Sequence, residues 1–251
     1  MHICKSHLCH KNKKSNMIQE LKLFDDRDFR RRIRPPKRRE FTWATSRASQ
    51  TWRNLDVNNT FEYVAPYDIP QLKPYTGVIP PNLIPYCNLA NATEMDCPHF
   101  YIDDTRIPAM RNNIEHFTKR LQRFKYVIAP DYTMFCGAPF PVNVRALFLN
   151  RSIAAYWQEH GLNVIPSFNG GDAESFRYCL AGMPQHSVIA CGNVGVIQSP
   201  IATKLWKYLV EKAIEELQPT ALMIYGTQID FTHPSNLPIY WYNDFIHSKL
   251  R

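Results

Sequence analysis

Acidic and amide side chains gather where the apolar runs of this chain end. Asp103 and Asp104 follow the run that starts at His99, and Asp131 closes the run from Tyr126 to Pro130. Asn169, with Gly170, Gly171 and Asp172, follows Val164 to Phe168; Gly192, Asn193 and Gly195 follow Ser187 to Cys191; Tyr225 and Gly226 end a fifth run that starts at Thr220. Collected at one edge, such groups can hold a cation between carboxylates, act as general acid and base, or hydrogen-bond the edge of a sugar or a base. They also have purely local uses, because Asp and Asn cap helices and Gly makes turns. Asp172 stands just ahead of a helical pattern and reads as a cap. Asp131 does not, since the next helical pattern begins about a dozen residues later. Asp104 is balanced between a site and a local turn with Thr105 and Arg106. The candidate catalytic set is Asp104, Asp131 and Asn169. If their strands are neighbours, Asp104 and Asp131 come within reach of one another, which would suit a shared cation or raise the pKa of one carboxyl.

Other residue patterns carry weaker chemistry. His2, Cys4, His7, Cys9 and His10 are metal-ligand types within nine residues, but Cys4 and Cys9 lack the second pair that zinc sites use; Cys87, Cys97 and His99 could supply one. Metal and cofactor therefore stay unassigned. Gly170-Gly171 and the stretch from Gly192 to Gly195 could offer backbone N–H groups to a phosphate, yet neither is a Walker loop or a dinucleotide fingerprint. Cys136 and Cys191 have no histidine spaced to activate them. Arg145 and Arg151, six residues apart, cannot share a helix face, so one reaches the sheet edge and the other solvent.

The elements that must position these residues alternate in type. Candidate strands cover 99–104, 126–131, 163–168, 187–191 and 220–225, and amphipathic helical patterns fall between most of them. Ile114, Phe117, Leu121 and Phe124 recur at helical spacing, with Lys119, Arg120 and Arg123 opposite. A second helix runs from about Asn143 to His160 and stops at Gly161, and a short one follows Asp172 as far as Gly182. The longest opens on Ser199-Pro200 and runs to Leu217. Residues 51–98 are proline-rich, predicting extended segments near Glu62 and over 78–84, and the aromatic stretch Leu237 to Asn243 can supply a closing strand. The expected fold class is α/β: a mainly parallel sheet flanked by helices, as an open sheet or an irregular barrel, behind a basic extended N-terminal arm. An ideal eight-fold barrel would need about 250 residues, and the arm consumes about 50 of them.

Charge separates that arm, residues 1–50, from a body of 51–251. The first fifty residues carry 14 Lys and Arg against 5 Asp and Glu, and the rest carries 16 against 17. Arg27, Arg30, Arg31, Arg32, Arg34, Lys37, Arg38 and Arg39 are opposed within that run only by Asp28, and Pro35-Pro36 interrupts any helix. Such a segment can follow a nucleic-acid backbone by releasing counterions, and arginine suits bidentate phosphate contacts. The alternatives are an acidic protein partner and a solvated tail. Phe41, Trp43 and Trp52 just downstream either stack on bases or dock the arm on the body.

At 251 residues with 45% apolar composition, the chain can fill a sizeable core and is neither a short peptide module nor wholly disordered. No apolar run reaches membrane-spanning length, no signal-peptide pattern opens the sequence, and seven dispersed cysteines favour reduced thiols. The expected location is the host cytoplasm or a virion, with no membrane contact.

Tyr126 to Phe135, Arg151 to Gln158 with Gly161 and Val164 to Pro166, Phe176 to Pro184, Ser187 to Ala190, and Leu217 to Gly226 keep an order that resembles the DUF4417 family of bacteria, archaea and their viruses. The resemblance covers roughly residues 60–230. It implies a protein carried by phages, plasmids or integrated elements and assigns no activity. Phe168-Asn169 stands where the family tends to have tryptophan, and Cys136-Gly137 replaces a more polar pair. The arm lies outside the resemblance. The leading expectation is a mobile-element protein that binds DNA or RNA through the arm and carries a polar site at its strand ends. The alternatives are a metal- or small-ligand-dependent enzyme using Asp104 and Asp131, and a structural component of a viral or protein assembly.

Overall fold

Proline and glycine set where the strands of this protein stop. The computed structural model describes residues 60–107 and 110–243; the basic arm, the cysteine and histidine cluster at 2–10, and Phe41, Trp43 and Trp52 lie outside the described residues. Two short strands, β1 (Tyr63–Val64) and β2 (Ile69–Pro70), pair antiparallel. Seven more follow: β3 (Asn82–Pro85), β4 (Asp96–His99), β5 (Val127–Ile128), β6 (Val164–Ile165), β7 (Val188–Gly192), β8 (Ala221–Tyr225) and β9 (Ile239–Tyr242). Pairing is parallel and between chain neighbours, β3 with β4, β5 with β6, β7 with β8, and β8 with β9. A parallel bridge from Ser167 to Ala190 carries β6 onto β7, and β4 lies beside β5. The ladders form open sheets and no closed barrel. Where β9 comes round towards the start of the series, a single side-chain bond is seen, the Tyr242 hydroxyl donating to the Pro80 carbonyl at 2.7 Å.

Among the described residues, three α-helices cover the outside. In α1 (Ile114–Leu121), Ile114, Thr118 and Leu121 are buried while Lys119 and Arg120 face water. Helix α2 (Phe140–Glu159) is buried almost all round in its second half, from Asn150 to Trp157, because it feeds two apolar clusters. Helix α3 (Pro200–Leu217) begins as its sequence predicts: Ser199 Oγ accepts from the Ala202 N–H, Pro200 takes the first helical position, and Gln218 ends it in the left-handed region. The opposite faces of the strands enclose a third cluster that includes Tyr75, Cys97, Tyr101, Ile128, Ile165, Ala190, Met223 and Tyr225. Period-two alternation explains the division: Ile189 and Leu222 point to the helices, Ala190 and Met223 inward.

Several expected boundaries moved. The strand expected at 99–104 is β4, ending at His99; Asp103 accepts the Thr105 N–H at 2.8 Å and turns the chain into a 3-10 turn, Asp104–Arg106. Strands β5 and β6 are two residues long because Pro130 and Pro166 have no N–H for a ladder. The helix expected after Asp172 is a single 3-10 turn, Ser175–Arg177, since Ser175 bonds back to Asp172.

Gly226 shows how tightly one strand end is built. At φ +133 its place is open to glycine, and a Cβ there would lie 1.9 Å from Asn193 Oδ1. That Asn193 oxygen accepts from the Thr227 N–H at 2.9 Å, and its amide donates to the Thr227 carbonyl at 2.6 Å. Gly226→Ala is expected to cost about 2–3 kcal/mol, read as a lower urea midpoint with an unchanged slope.

Candidate functional site

The loops after β4, β5, β6 and β7 meet the start of α3 around a cleft of about 730 Å³. Its walls include Tyr101, Phe168, Leu205 and Trp206, and its polar groups include Asp103, Asp131, Thr133, Asn169 and Ser199. Asp131 and Asn169 touch. Asn169 Nδ2 donates to Asp131 Oδ1 at 2.8 Å and to the Tyr132 carbonyl at 2.9 Å, while Asn169 Oδ1 is buried without a hydrogen-bond partner. Asp131 is half-buried. Burial pushes its carboxyl up to about 7, the charge of Asp104 adds to the rise, and the Asn169 amide and the distant pull of Arg151 oppose it.

Asp104 does not line the cleft. It binds the loop that carries Asp131, accepting from Thr133 Oγ1 at 2.9 Å and from the Thr133 N–H at 3.2 Å. The structure thus brings all three residues singled out from sequence to one strand-end region, two of them in contact and the third holding their loop through Thr133. Asp172 sits one loop away: the Gly137 and Ser175 N–H groups bond to it and hold its carboxyl below the usual range. It ties the loop after β5 to the loop after β6.

Beneath the site lies Arg151, 1% exposed. Nε donates to the Ala181 carbonyl at 3.1 Å, Nη1 to Ser167 at 2.7 Å and Nη2 to Cys179 at 3.0 Å. Burial draws its guanidinium down to about 10. Arg145 is exposed, so the two arginines divide as their spacing predicts.

The groups on the inner face were harder to foresee from residue spacing. His99 and Tyr101 stand two residues apart, on one side of the chain. The Tyr101 hydroxyl shares a 2.9 Å hydrogen bond with Ser167 Oγ, and burial, then Asp131, pushes that phenol well up. His99 is fully buried and held down to about 3 by burial; its Nδ1 accepts the Tyr101 N–H at 3.2 Å and its Nε2 has no partner. The i, i+2 spacing of Cys97, His99 and Tyr101 is the signal that could have found them.

No three His, Cys, Asp or Glu side chains converge as a metal site among the described residues. Cys97 and His99 are buried in β4 and Cys87 is exposed. Cys136 and Cys191 line the cleft as free thiols, and burial pushes Cys191 upward. The Gly170-Gly171 loop also differs from a phosphate cradle: the Gly171 and Asp172 N–H groups both donate to Ser175 Oγ at 2.9 Å. A Cβ at Gly171 would meet the Phe135 backbone at 2.7 Å, so close packing accounts for this glycine.

Residues 61–242 match the profile of the family described as a domain of unknown function, DUF4417. The chain belongs to that family. Its DUF4417 body is 27% identical over 196 residues to the Gene 1 protein of Mycobacterium phage L5, covering 74% of this chain and 85% of the phage protein. The Gene 1 protein of Mycobacterium phage D29 is 27% identical over 188 residues, 73% of this chain and 69% of that one. No solved structure matches. This DUF4417 protein is thus related to phage proteins, and the family match takes in every residue of the cleft. No described helix is long and apolar enough to cross a membrane.

Proposed function

We propose that this phage-related protein binds nucleic acid through its basic arm and presents Asp131 as a proton-exchanging group in the strand-end cleft. The observation that carries the site is Asp131 itself: a carboxyl at the edge of a cavity, hydrogen-bonded by one amide, with its proton affinity raised to about 7. A group so poised can give or take a proton near neutral pH. The arm's part rests on the eight basic residues between Arg27 and Arg39.

Salt tests the arm. With the full chain and a short DNA or RNA duplex, log affinity should fall steeply with log salt, by about 0.9 for each phosphate contact. Replacing Arg30, Arg31, Arg32 and Arg34 by Gln in the full chain should flatten the slope by up to about 3.6, measured by fluorescence anisotropy from 50 to 300 mM salt. An unchanged slope removes the arm from the interface.

A second reading, a small-ligand enzyme acting through Asp104 and Asp131, is favoured by one observation: the charge of Asp104 raises Asp131. Asp104→Asn should then shift the acid limb of any activity profile towards lower pH.

A further inference from the structure

We infer that the cleft receives an uncharged heterocyclic ring, a nucleobase turned out of the nucleic acid held by the arm, with its hydrogen-bonding edge on Asp131 and Asn169 and its phosphate left outside. The inference rests on the proposed nucleic-acid reading and adds to it what enters the body.

Electrostatics exclude a phosphate from the interior. No Lys, Arg or His is among the described residues lining the cleft, while Asp103 and Asp131 are. Three of the backbone donors near the cleft are already engaged. Gly171 and Asp172 donate to Ser175 Oγ, and the Ala202 N–H at the start of α3 donates to Ser199 Oγ. An anion placed here would meet two carboxylates and find no cation to offset them.

The walls suit a flat ring. Tyr101, Phe168 and Trp206 line the cleft together with Met134, Leu205 and Leu209, and the Trp206 indole is fixed by its N–H donating to the Gly192 carbonyl at 3.0 Å. A volume of about 730 Å³ lies within the range of sites for small organic ligands. One polar edge faces this apolar interior. Asn169 Oδ1 is a buried acceptor without a partner; because both groups bonded to Nδ2 are acceptors, the amide cannot turn round to hide it. Beside it, Asp131 can act as donor when protonated and as acceptor when ionised. An acceptor next to a group of that kind matches the paired donor and acceptor atoms on the edge of a nucleobase, and enzymes that take a base out of its stack read it in this way. The phosphates would remain at the rim, outside the acidic interior.

The test titrates the full chain with adenosine, guanosine, cytidine, uridine and thymidine, and with their 5′-monophosphates, by calorimetry at low salt. At least one nucleoside should bind, and its monophosphate should bind no more tightly than about threefold better. Ala202→Trp adds an indole at the α3 wall of the cleft, leaves Asp131 and Asn169 unaltered in sequence, and should weaken that nucleoside at least about tenfold. Ile201→Trp, at a position 73% exposed on the rim, provides a second block at little risk to folding. A monophosphate preferred about tenfold or more, or nucleoside affinity unchanged in both folded variants, overturns the inference. Failure of all five nucleosides while the steep salt dependence persists also overturns it and leaves the arm's role standing. Nucleoside binding by a chain with no salt-dependent affinity for DNA or RNA supports the cleft's ligand and overturns the arm's role.

Discussion

Replacing Arg151 with Met is expected to lower the unfolding free energy by about 4 kcal/mol and the melting temperature by about 10 °C. The buried guanidinium spreads its donors over the carbonyls of Ser167, Cys179 and Ala181, and so ties two segments to α2 at once. Methionine fills much of the volume and leaves three acceptors unsatisfied, each costing about 1–3 kcal/mol before relaxation. Lysine should rescue little, since one compact ammonium cannot donate in the three directions the planar fork covers. Calorimetric melting of both variants checks this. A Met variant within about 1 kcal/mol of the parent would show that water replaces the guanidinium and that Arg151 does not hold the floor of the cleft.

Asp131→Asn should stabilise the protein at alkaline pH and do nothing for it in acid. In the unfolded chain the carboxyl titrates near 3.8, in the folded chain at about 7. Below pH 4 it is protonated in both states and carries no penalty. Between about 4 and 7 the unfolded chain ionises while the folded chain resists, so the parent loses stability as pH rises, and above 7 the loss is constant. The full shift corresponds to about 4 kcal/mol, and water reaching the half-buried carboxyl from the cleft reduces it to about 2 kcal/mol. The variant keeps the Asn169 contact through its own amide oxygen, so the gain isolates the charge. Urea unfolding of both proteins from pH 4 to pH 9 should give curves that diverge upward and then run parallel. Curves that coincide throughout would place the pKa of Asp131 near its unfolded value and deprive it of a proton-exchanging role at neutral pH. A residue that destabilises the fold and is kept for chemistry is the usual sign of a working site.

How far the sequence could be read depended on whether a signal was local. Helix α3 was legible to the residue, because a capping serine, a proline at the first position and the last residue of the apolar pattern, Leu217, are all written within the segment. The strand core near 188–192 and 221–225 was legible for the same reason, as runs buried on both faces. The turn at Asp103 was not, because a side-chain bond to Thr105 beats the strand preference of Tyr101 and Ile102. The helix expected after Asp172 failed on the same kind of competition, with Ser175 capturing the groups that would have opened it. For the site, the choice of Asp131 over Asp172 came from spacing alone, and the structure places Asp131 in the cleft and Asp172 in a brace between loops. The division of labour between Asp104 and Asp131 could not be seen, since Thr133 lies 29 positions from Asp104. Nor could the depth of Arg151, whose three partners lie 16 to 30 residues away.

The parallel strands of this protein meet in the order in which they are made. From β3 to β9, each strand finds its partner or packing neighbour in the one just synthesised, so a chain leaving the ribosome can bury each new strand against an edge that already exists. Sequential pairing of this kind keeps loop-closure costs low and leaves no strand waiting for a distant mate. The longest-range bond among the described residues that departs from this order is the one from Tyr242 to Pro80, across 162 positions; Tyr75 likewise bonds Ser187 across 112. A growing chain can acquire the Tyr242 bond only once β9 has been made, so the two ends of the series are joined last.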